Sequence, residues 1–210
     1  MTWIVPEAQR VATKKAYFPP DSRIMPLECV VIHYTAGAGP LKPRVKAWAE
    51  NPEVDSSTHL VISRTPQLEP TLQLAPLTAR TWHAGQSAYN GKAGVNKFSL
   101  GLDLDNVGFL TKAGAGFVTW ASRPYAGPAP FVDSSGRAWE PYTEEAILEL
   151  CRCVLMLVDL FPILANAPER LTGHENVKRG KSDPGRAFDP FWPIVRNVCN
   201  GVFPTGLTEV

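Results

Sequence analysis

The chain has 210 residues, with 21 Lys and Arg against 20 Asp and Glu, a formal net charge of +1 and a hydrophobic fraction of 44%. This length is enough for one domain with a substantial core. The nearly neutral charge argues against a nucleic-acid-binding protein, which usually carries a marked basic excess. No stretch approaches the ~20 apolar residues of a membrane-spanning helix. We therefore expect one domain over residues 1–210, with neither a nucleic-acid nor a membrane partner.

The amino-terminal sequence and the cysteines bear on the compartment. The first residues, MTWIVPEAQRVATKK, lack the basic and then apolar pattern of a secretory signal. We expect synthesis in the cytoplasm, with action there or outside after lysis or non-classical export. The four cysteines form no CxxC pair, which predicts buried free thiols and fits a reducing compartment of synthesis.

The first part of the chain predicts an arm followed by strands. Residues 1–26 mix charge, proline and aromatic side chains, which indicates an irregular arm. Short β-branched or alternating runs then predict strands. They are residues 28–35 (ECVVIHYT), 59–63 (HLVIS), 71–75 and 98–105 (FSLGLDLD).

Three further segments predict helices. Residues 41–50 carry Pro43 in a first turn, where its missing N–H costs little, and residues 76–85 suggest one helical turn ending at Gly85. Thr143 begins a longer helix that runs through Phe161. Its expected buried stripe comprises Ile147, Leu150, Cys151, Val154, Leu155 and Val158.

The end of the chain predicts a last helix over residues 189–199, with Pro190 in its first position. Residues 106–141, rich in Gly, Pro and aromatics, predict a long loop insertion. Strands interspersed with helices indicate an α/β domain whose sheet is covered by helices.

The chemistry is expected around the histidines. His33 ends the first strand, and His174 (LTGHENV) precedes Asp183 (KSDPG). Two imidazoles and a carboxylate are a set that catalytic zinc accepts, with water as the fourth ligand. The spacing alone is weak evidence, because a histidine taken singly is more often a hydrogen-bonded core or surface residue than a ligand.

Five segments together make a more specific pattern: VVIHYTAG, THLVISR, TWHAG, FSLGLDLDN and TGHENVKRGKSDPG. In this order they resemble the zinc-dependent N-acetylmuramoyl-L-alanine amidases, which include muropeptide-recycling amidases, phage lysozyme-type amidases and peptidoglycan recognition proteins. The resemblance covers residues 28–190. It implies a central mixed sheet flanked by helices, with one zinc ion at one end of the strands.

The resemblance assigns roles position by position. His33, His174 and Asp183 match the metal ligands, and Lys181 matches a catalytic lysine two residues before the third ligand. Asp103 stands where many of these amidases have a catalytic glutamate in an Ile-Gly-Ile-Glu setting. Since Asp is one methylene shorter, Asp105 remains an alternative general base.

The substrate-binding residues implied by the family are Trp82, His83 and Tyr34. His83 has the alternative of packing on Trp82, and Tyr34 that of lying in the core. His59 is expected to be structural. In the long loop, aromatics either line a sugar-binding groove or close a small core of their own; they are Trp120, Tyr125 and Trp139.

The implied activity is hydrolysis of the amide bond between N-acetylmuramic acid and L-alanine in peptidoglycan or muropeptides. Zinc lowers the pKa of its water from about 15.7 towards 7. Asp103 would take a proton from the water and pass it to the departing amine, and Lys181 would stabilise the oxyanion. The alternative is a non-catalytic peptidoglycan-binding module, since Asp103 departs from the usual glutamate. Recycling enzyme, lysin and antibacterial effector all remain open.

Overall fold

The computed structural model describes residues 3–13 and 26–206. Its α-helices are α1 (Leu41–Glu50), α2 (Glu144–Leu160), α3 (His174–Val177) and α4 (Trp192–Asn197). Its strands, in chain order, are β1 (Cys29–Tyr34), β2 (Leu60–Ile62), β3 (Leu72–Gln73), β4 (Ala88–Tyr89), β5 (Lys92–Ala93), β6 (Ser99–Leu104), β7 (Phe109–Ala113), β8 (Gly116–Val118), β9 (Phe131–Val132), β10 (Ala138–Trp139) and β11 (Leu171–Gly173).

A five-stranded sheet of order β11-β1-β6-β2-β3 forms the centre of the fold. The pairings β11–β1, β1–β6 and β6–β2 are parallel, whereas β3 runs antiparallel to β2. The expected mixed α/β sheet flanked by helices is therefore confirmed. Because the carboxyl ends of parallel strands meet at one edge, residues at the ends of β1, β6 and β11 are brought together.

The sheet is buried on both faces, and β1 shows the alternation. Val30 and Ile32 pack in the largest core cluster with α2 and α4, whereas Cys29 and Val31 pack in a second cluster with Phe98 on the opposite face. A third cluster packs α1 against β2 and β3. The four cysteines are buried free thiols, as predicted.

Helix α2 begins as predicted, but two residues of the expected stripe are not fully buried: Leu155 and the partly buried Val158. Thr143 caps it, its side chain accepting a hydrogen bond from the Ala146 N–H. Leu155, expected in the buried stripe, is 36% exposed, whereas Cys153 and Leu157 are buried. Helix α2 packs against α4 and against the 3₁₀ turn at residues 198–200, and these contacts help to set which side of the helix is buried.

Two other expected helices differ from the structure. Residues 76–85 form turns in which the Ala79 N–H donates to the Pro76 carbonyl, and the expected helical turn is wrong. The last helix, predicted from residue 189, begins only at Trp192 after a 3₁₀ segment, Arg186–Phe191, that contains Pro190. In an α-helix that began at residue 189, Pro193 would lie past the first turn, where its missing N–H would break the ladder; in the observed helix it lies in the first turn, where proline is tolerated.

The segment 106–141 is not the long loop that was expected. It contains a second, antiparallel sheet of order β8-β7-β10-β9, which we call the second sheet. Its strands have two to five residues, too short for their alternation to stand out among the glycines and prolines. A β4–β5 hairpin was also missed, although its Asn90-Gly91 turn, with both φ positive, is a strong hairpin signal.

The described part of the expected amino-terminal arm lies along β3. The Val11 N–H donates to the Gln73 carbonyl, and the Thr13 N–H to that of Leu74. The remainder of the expected arm, residues 1–2 and 14–25, lies outside the described residues. Among helices in the described part of the chain, none has the length and apolarity to cross a bilayer.

Candidate active site

The candidate site lies at the carboxyl ends of three neighbouring strands. His33 is near the end of β1 and is paired in register with Asp103 of β6. His174 follows directly after β11, which pairs with the other side of β1. Parallel pairing alone therefore brings together residues that are far apart in the chain.

Asp183 completes a cluster with the two histidines. Its Oδ2 lies 2.7 Å from His33 Nδ1 and 3.0 Å from His174 Nδ1, and one ligand atom from each residue lies within 4.8 Å of the others. The histidines are each 4% exposed and Asp183 is 8% exposed. Burial raises the pKa of Asp183, but the hydrogen bonds and charges of His174 and His33 outweigh it and lower that pKa overall.

This donor set fits zinc. His174 Nε2 lies 3.3 Å from the Ala84 carbonyl, which only accepts, so Nε2 is the donor on that side and Nδ1 is the nitrogen left to bind a metal. Two imidazole nitrogens and one carboxylate oxygen are the ligands of many catalytic zinc sites, which keep one position for water or substrate. The three predicted ligands are thus brought together in a chemically suitable arrangement.

The two carboxylates considered as general base differ in their surroundings. Asp103 lines the cavity next to the cluster. Burial raises its pKa, as does the charge of Asp183, while His33, Thr58 and His174 lower it. Asp105 instead pairs with Arg44 and Arg64, and its side chain is 2% exposed. The structure therefore favours Asp103 over Asp105 for contact with a reacting group.

The cluster opens into a cavity of about 630 Å³. Lys181 is exposed and Tyr34 half-buried, and both line this cavity. The Tyr34 hydroxyl lies 3.1 Å from Ser182 Oγ. Burial raises the pKa of Tyr34, so the phenol stays protonated and able to donate.

The two residues predicted from TWHAG lie in different environments. His83 is 8% exposed, and its ring lies between His33 and Ser99, at 3.0 and 2.9 Å. Trp82 is 38% exposed beneath the Arg80 guanidinium and is outside the cavity lining formed by the described residues. Substrate contact by Trp82 stays a prediction.

The aromatic residues of segment 106–141 also lie in different environments. Trp139 is 3% exposed and packs on Phe109, and Tyr125 packs in a small cluster with Val107. Trp120 is 70% exposed, lines the cavity and donates from Nε1 to the Ala36 carbonyl at 2.6 Å. The small-core interpretation is confirmed for Trp139 and Tyr125, and sugar contact by Trp120 stays a prediction.

Sequence reasoning missed several residues around the site. Ser99 and Gly101 lie on the same side of β6 as Asp103, as the two-residue period requires. The signal was present in SLGLD as small and polar residues at alternate positions. Arg44 of α1, which binds Asp105 at the edge of the cavity, gave no comparable signal.

Comparison with known proteins adds relatives in sequence. The chain is 28% identical over 150 residues to the 1,6-anhydro-N-acetylmuramyl-L-alanine amidase AmpD of Salmonella typhimurium, covering 71% of this chain and 60% of the relative. It is 26% identical over 183 residues to the N-acetylmuramoyl-L-alanine amidase AmiD of Escherichia coli, covering 85% of this chain and 55% of AmiD. The matches thus span little more than half the length of these relatives.

Solved structures share the fold. A crystal structure of a selenomethionine AmpD derivative matches with a TM-score of 0.63 at 23% identity, covering 91% of this chain and 95% of that one. E. coli AmiD, solved in complex with its substrate anhydro-N-acetylmuramic acid-L-Ala-D-γ-Glu-L-Lys, matches with a TM-score of 0.61 at 22% identity, covering 92% of this chain and 66% of AmiD.

The family assignment rests on a match over most of the chain. The model of the Amidase_2 family, described as N-acetylmuramoyl-L-alanine amidase, matches residues 23–186. This range includes each residue of the His33, His174 and Asp183 cluster. The chain therefore belongs to the N-acetylmuramoyl-L-alanine amidase family of the Amidase_2 type, whose members are generally zinc-dependent.

Proposed function

We propose that this chain is a zinc-dependent amidase that hydrolyses the bond between N-acetylmuramic acid and L-alanine in muropeptides or peptidoglycan. The carrying observation is the convergence of His33, His174 and Asp183 within 4.8 Å, with Asp103 next to them in the same cavity. Family membership and the names of the AmpD and AmiD relatives support the bond assigned.

His33, His174 and Asp183 would hold one zinc ion. When bound, zinc supplies Lewis acidity that lowers the pKa of water and polarises a carbonyl. Asp103 then has two tasks: it accepts the proton of the attacking water and delivers a proton to the departing amine. The second task is needed because an amide anion is a poor leaving group.

Lys181 would supply positive charge where the carbonyl oxygen becomes negative. It is the lysine of the cavity lining, and the backbone of its loop is tied by a hydrogen bond from the Lys181 N–H to the Lys178 carbonyl. A group of this kind commonly contributes about 3–4 kcal/mol to transition-state stabilisation. Loss of the Lys181 charge should therefore reduce turnover much more than substrate affinity.

The alternative of a non-catalytic peptidoglycan-binding module has less support. Such a module has no need of a complete ligand set, and here all three ligand positions are present together with a cavity-lining carboxylate and lysine. The one observation in its favour is that position 103 holds an aspartate where the family usually has a glutamate. Binding of peptidoglycan without turnover over long incubation would establish the module.

The direct test measures metal and reaction together. Purified protein should contain about one zinc per chain and release stem peptide from a soluble anhydro-muropeptide, and His174→Ala should abolish both. Activity that persists in His174→Ala, or after zinc is fully removed, would overturn the proposal. Leu68→Ala, a change at an 82% exposed side chain, serves as the control that retains both properties.

The physiological setting follows from the substrate. A cavity of about 630 Å³ is of the size that holds a small ligand, and we infer from it that soluble muropeptides are the preferred substrate, as in a recycling enzyme. Comparing turnover of soluble muropeptides with that of intact sacculi tests this preference. Faster turnover of sacculi would indicate a lysin or effector acting on the wall.

A further inference from the structure

His83 lies behind the zinc ligand His33, on the side away from Asp183. The two rings meet edge to face, with centroids 5.2 Å apart, and His83 Nδ1 lies 3.0 Å from His33 Nε2. The other nitrogen, Nε2, lies 2.9 Å from Ser99 Oγ. His83 is 8% exposed and Ser99 is fully buried, so water is not available to exchange freely with these contacts.

The direction of this chain of hydrogen bonds follows from its far end. Ser99 Oγ donates to the Val95 carbonyl at 2.6 Å, because a carbonyl only accepts. The hydroxyl oxygen therefore accepts a hydrogen bond from His83, so His83 carries its proton on Nε2. The buried His83 ring has an imidazole at Nδ1 and a hydroxyl at Nε2. Neither contact is an anion that would stabilise a second proton, so the ring is neutral and its Nδ1 is an acceptor.

The consequence for His33 is a fixed tautomer. With Nδ1 of His83 accepting, Nε2 of His33 must carry the proton and donate. His33 Nδ1, which lies 2.7 Å from Asp183 Oδ2, is then the ring nitrogen left to bind a metal. This is the nitrogen that a metal ligand at that position must present.

Gly101 makes the space that this arrangement needs. A Cβ at position 101 would lie 2.5 Å from Cγ of His83, closer than real contacts allow. Ser99 and Gly101 thus serve the same ring from one side of β6, the first by holding its Nε2 and the second by leaving room for it.

We propose that His83 and Ser99 are positioning residues, which fix the tautomer and orientation of His33 so that its Nδ1 is available as a metal ligand. The idea rests on the zinc site of the proposed function and assigns His83 a task other than the substrate contact expected from the sequence. Partners of this type commonly change metal affinity about 10- to 100-fold.

The first experiment compares zinc affinities by competition with a chromophoric chelator. Leu and Asn have nearly the same shape, but only Asn offers an acceptor close to the position of His83 Nδ1. His83→Leu should weaken zinc binding about 10- to 100-fold, and His83→Asn should recover most of that loss. Ser99→Ala should fall between wild type and His83→Leu.

A matched control separates positioning from general packing. Ser63 is also fully buried, and its hydroxyl accepts from the nearby Thr65 N–H; it follows β2, which is separated from β1 and His33 by β6. Ser63→Ala should retain wild-type zinc affinity. Gly101→Ala, which removes no hydrogen-bonding group, should weaken zinc binding by displacing the His83 ring.

The second experiment observes the proton itself by NMR. In the zinc-loaded protein with ¹⁵N-labelled histidine, the His33 Nε2–H should give a slowly exchanging, downfield-shifted signal. It should persist in His83→Asn and Ser63→Ala and be lost in His83→Leu. A purely structural role for His83 would lower thermal stability equally in the Leu and Asn variants without separating their proton signals.

The outcomes distinguish this inference from the proposed function. Wild-type protein that binds no zinc would overturn the proposed function. Wild-type protein that binds zinc, together with folded Leu and Asn variants of equal zinc affinity, would overturn only the role of His83. A His83→Leu variant that fails to fold leaves Ser99→Ala and Gly101→Ala to decide, and unchanged zinc affinity in both would overturn the inference.

Discussion

The two walls of the cavity are built differently. The inner wall is made by the ends of β1, β6 and β11, where His33, His174 and Asp183 are buried and each bonds to other side chains or to backbone. The outer wall includes Trp120 of the second-sheet segment, which is 70% exposed and bonds to the Ala36 carbonyl. The inner wall is suited to holding reacting groups in place, and the outer wall to contacting a substrate. Substitutions should therefore affect turnover and stability on the inner wall and substrate affinity on the outer.

The largest effect is expected at Asp103 of the inner wall. Asp103→Asn should lower turnover about 100- to 10,000-fold, the contribution typical of a general acid–base group, while the zinc content stays at the wild-type level. Steady-state kinetics with metal analysis provides the measurement. An unchanged rate would assign proton transfer to another group. Asp103→Glu tests whether the longer side chain typical of the family is tolerated here.

His59 should make stability depend on pH. It is fully buried, and burial lowers its pKa from 6.5 to about 4, although its hydrogen bond to the Ala79 carbonyl acts in the opposite sense. Between these two pH values the unfolded chain binds more protons than the folded one. The stabilisation is therefore complete above about pH 6.5 and is lost as the pH falls towards 4, by an amount on the order of 3 kcal/mol.

Urea unfolding of wild type and His59→Gln across this range measures the effect. Because the variant lacks the titrating group, the difference between the two free energies of unfolding should shrink on acidification. Parallel pH profiles would contradict the assignment.

Asp105 should affect stability but not turnover, since it connects the end of β6 to the second sheet through Arg64. It pairs with Arg64, which also binds Glu140 beside the second sheet, and with Arg44. Asp105→Asn should lower the free energy of unfolding by about 1–3 kcal/mol, because both arginines keep partial access to water. The exposed pair Arg186–Asp189 provides a control, since Asp189→Asn should cost under about 1 kcal/mol. Equal losses in the two variants would refute a joining role for Asp105.

The smallest effect is expected on the outer wall. Trp120→Ala should raise KM about tenfold with kcat nearly unchanged, which corresponds to the loss of one aromatic contact worth about 1.4 kcal/mol. As a control, Val132→Ala should leave KM unchanged. Val132 lies in the second sheet, is 56% exposed and is outside the cavity lining formed by the described residues. A drop in kcat for Trp120→Ala would place that residue functionally with the inner wall.

The inner wall was also the part most accessible from sequence. The apolar run before His33 predicts β1, the cap at Thr143 predicts α2, and both formed within a residue or two of the expected bounds. The proposed ligand set was inferred from the resemblance, because residues 33 and 174 meet only through strand pairing, which spacing does not encode.

The rest depended on tertiary contacts that local patterns do not carry. Leu155 fits the helical period but lies beyond the edge of what α2 buries, and its 36% exposure is set by neighbouring elements. The strands of the second sheet are too short for their period to be recognised. The role that we propose for His83 depends on contacts with His33 and Ser99, which lie 50 and 16 residues away along the chain. No local sequence pattern indicates contacts of this kind.

The ends of segment 106–141 meet at a single point. The Val107 N–H donates to the Glu140 carboxylate, the Glu140 N–H donates to the Gly108 carbonyl at 3.0 Å, and Asn106 Nδ2 reaches the Glu140 carbonyl at 3.3 Å. These hydrogen bonds hold the two ends of the segment together, at the point where the chain leaves β6 and returns towards α2. Changes of length in the turns between β7 and β10 should therefore be tolerated better than changes at Trp139, which packs in the largest core cluster.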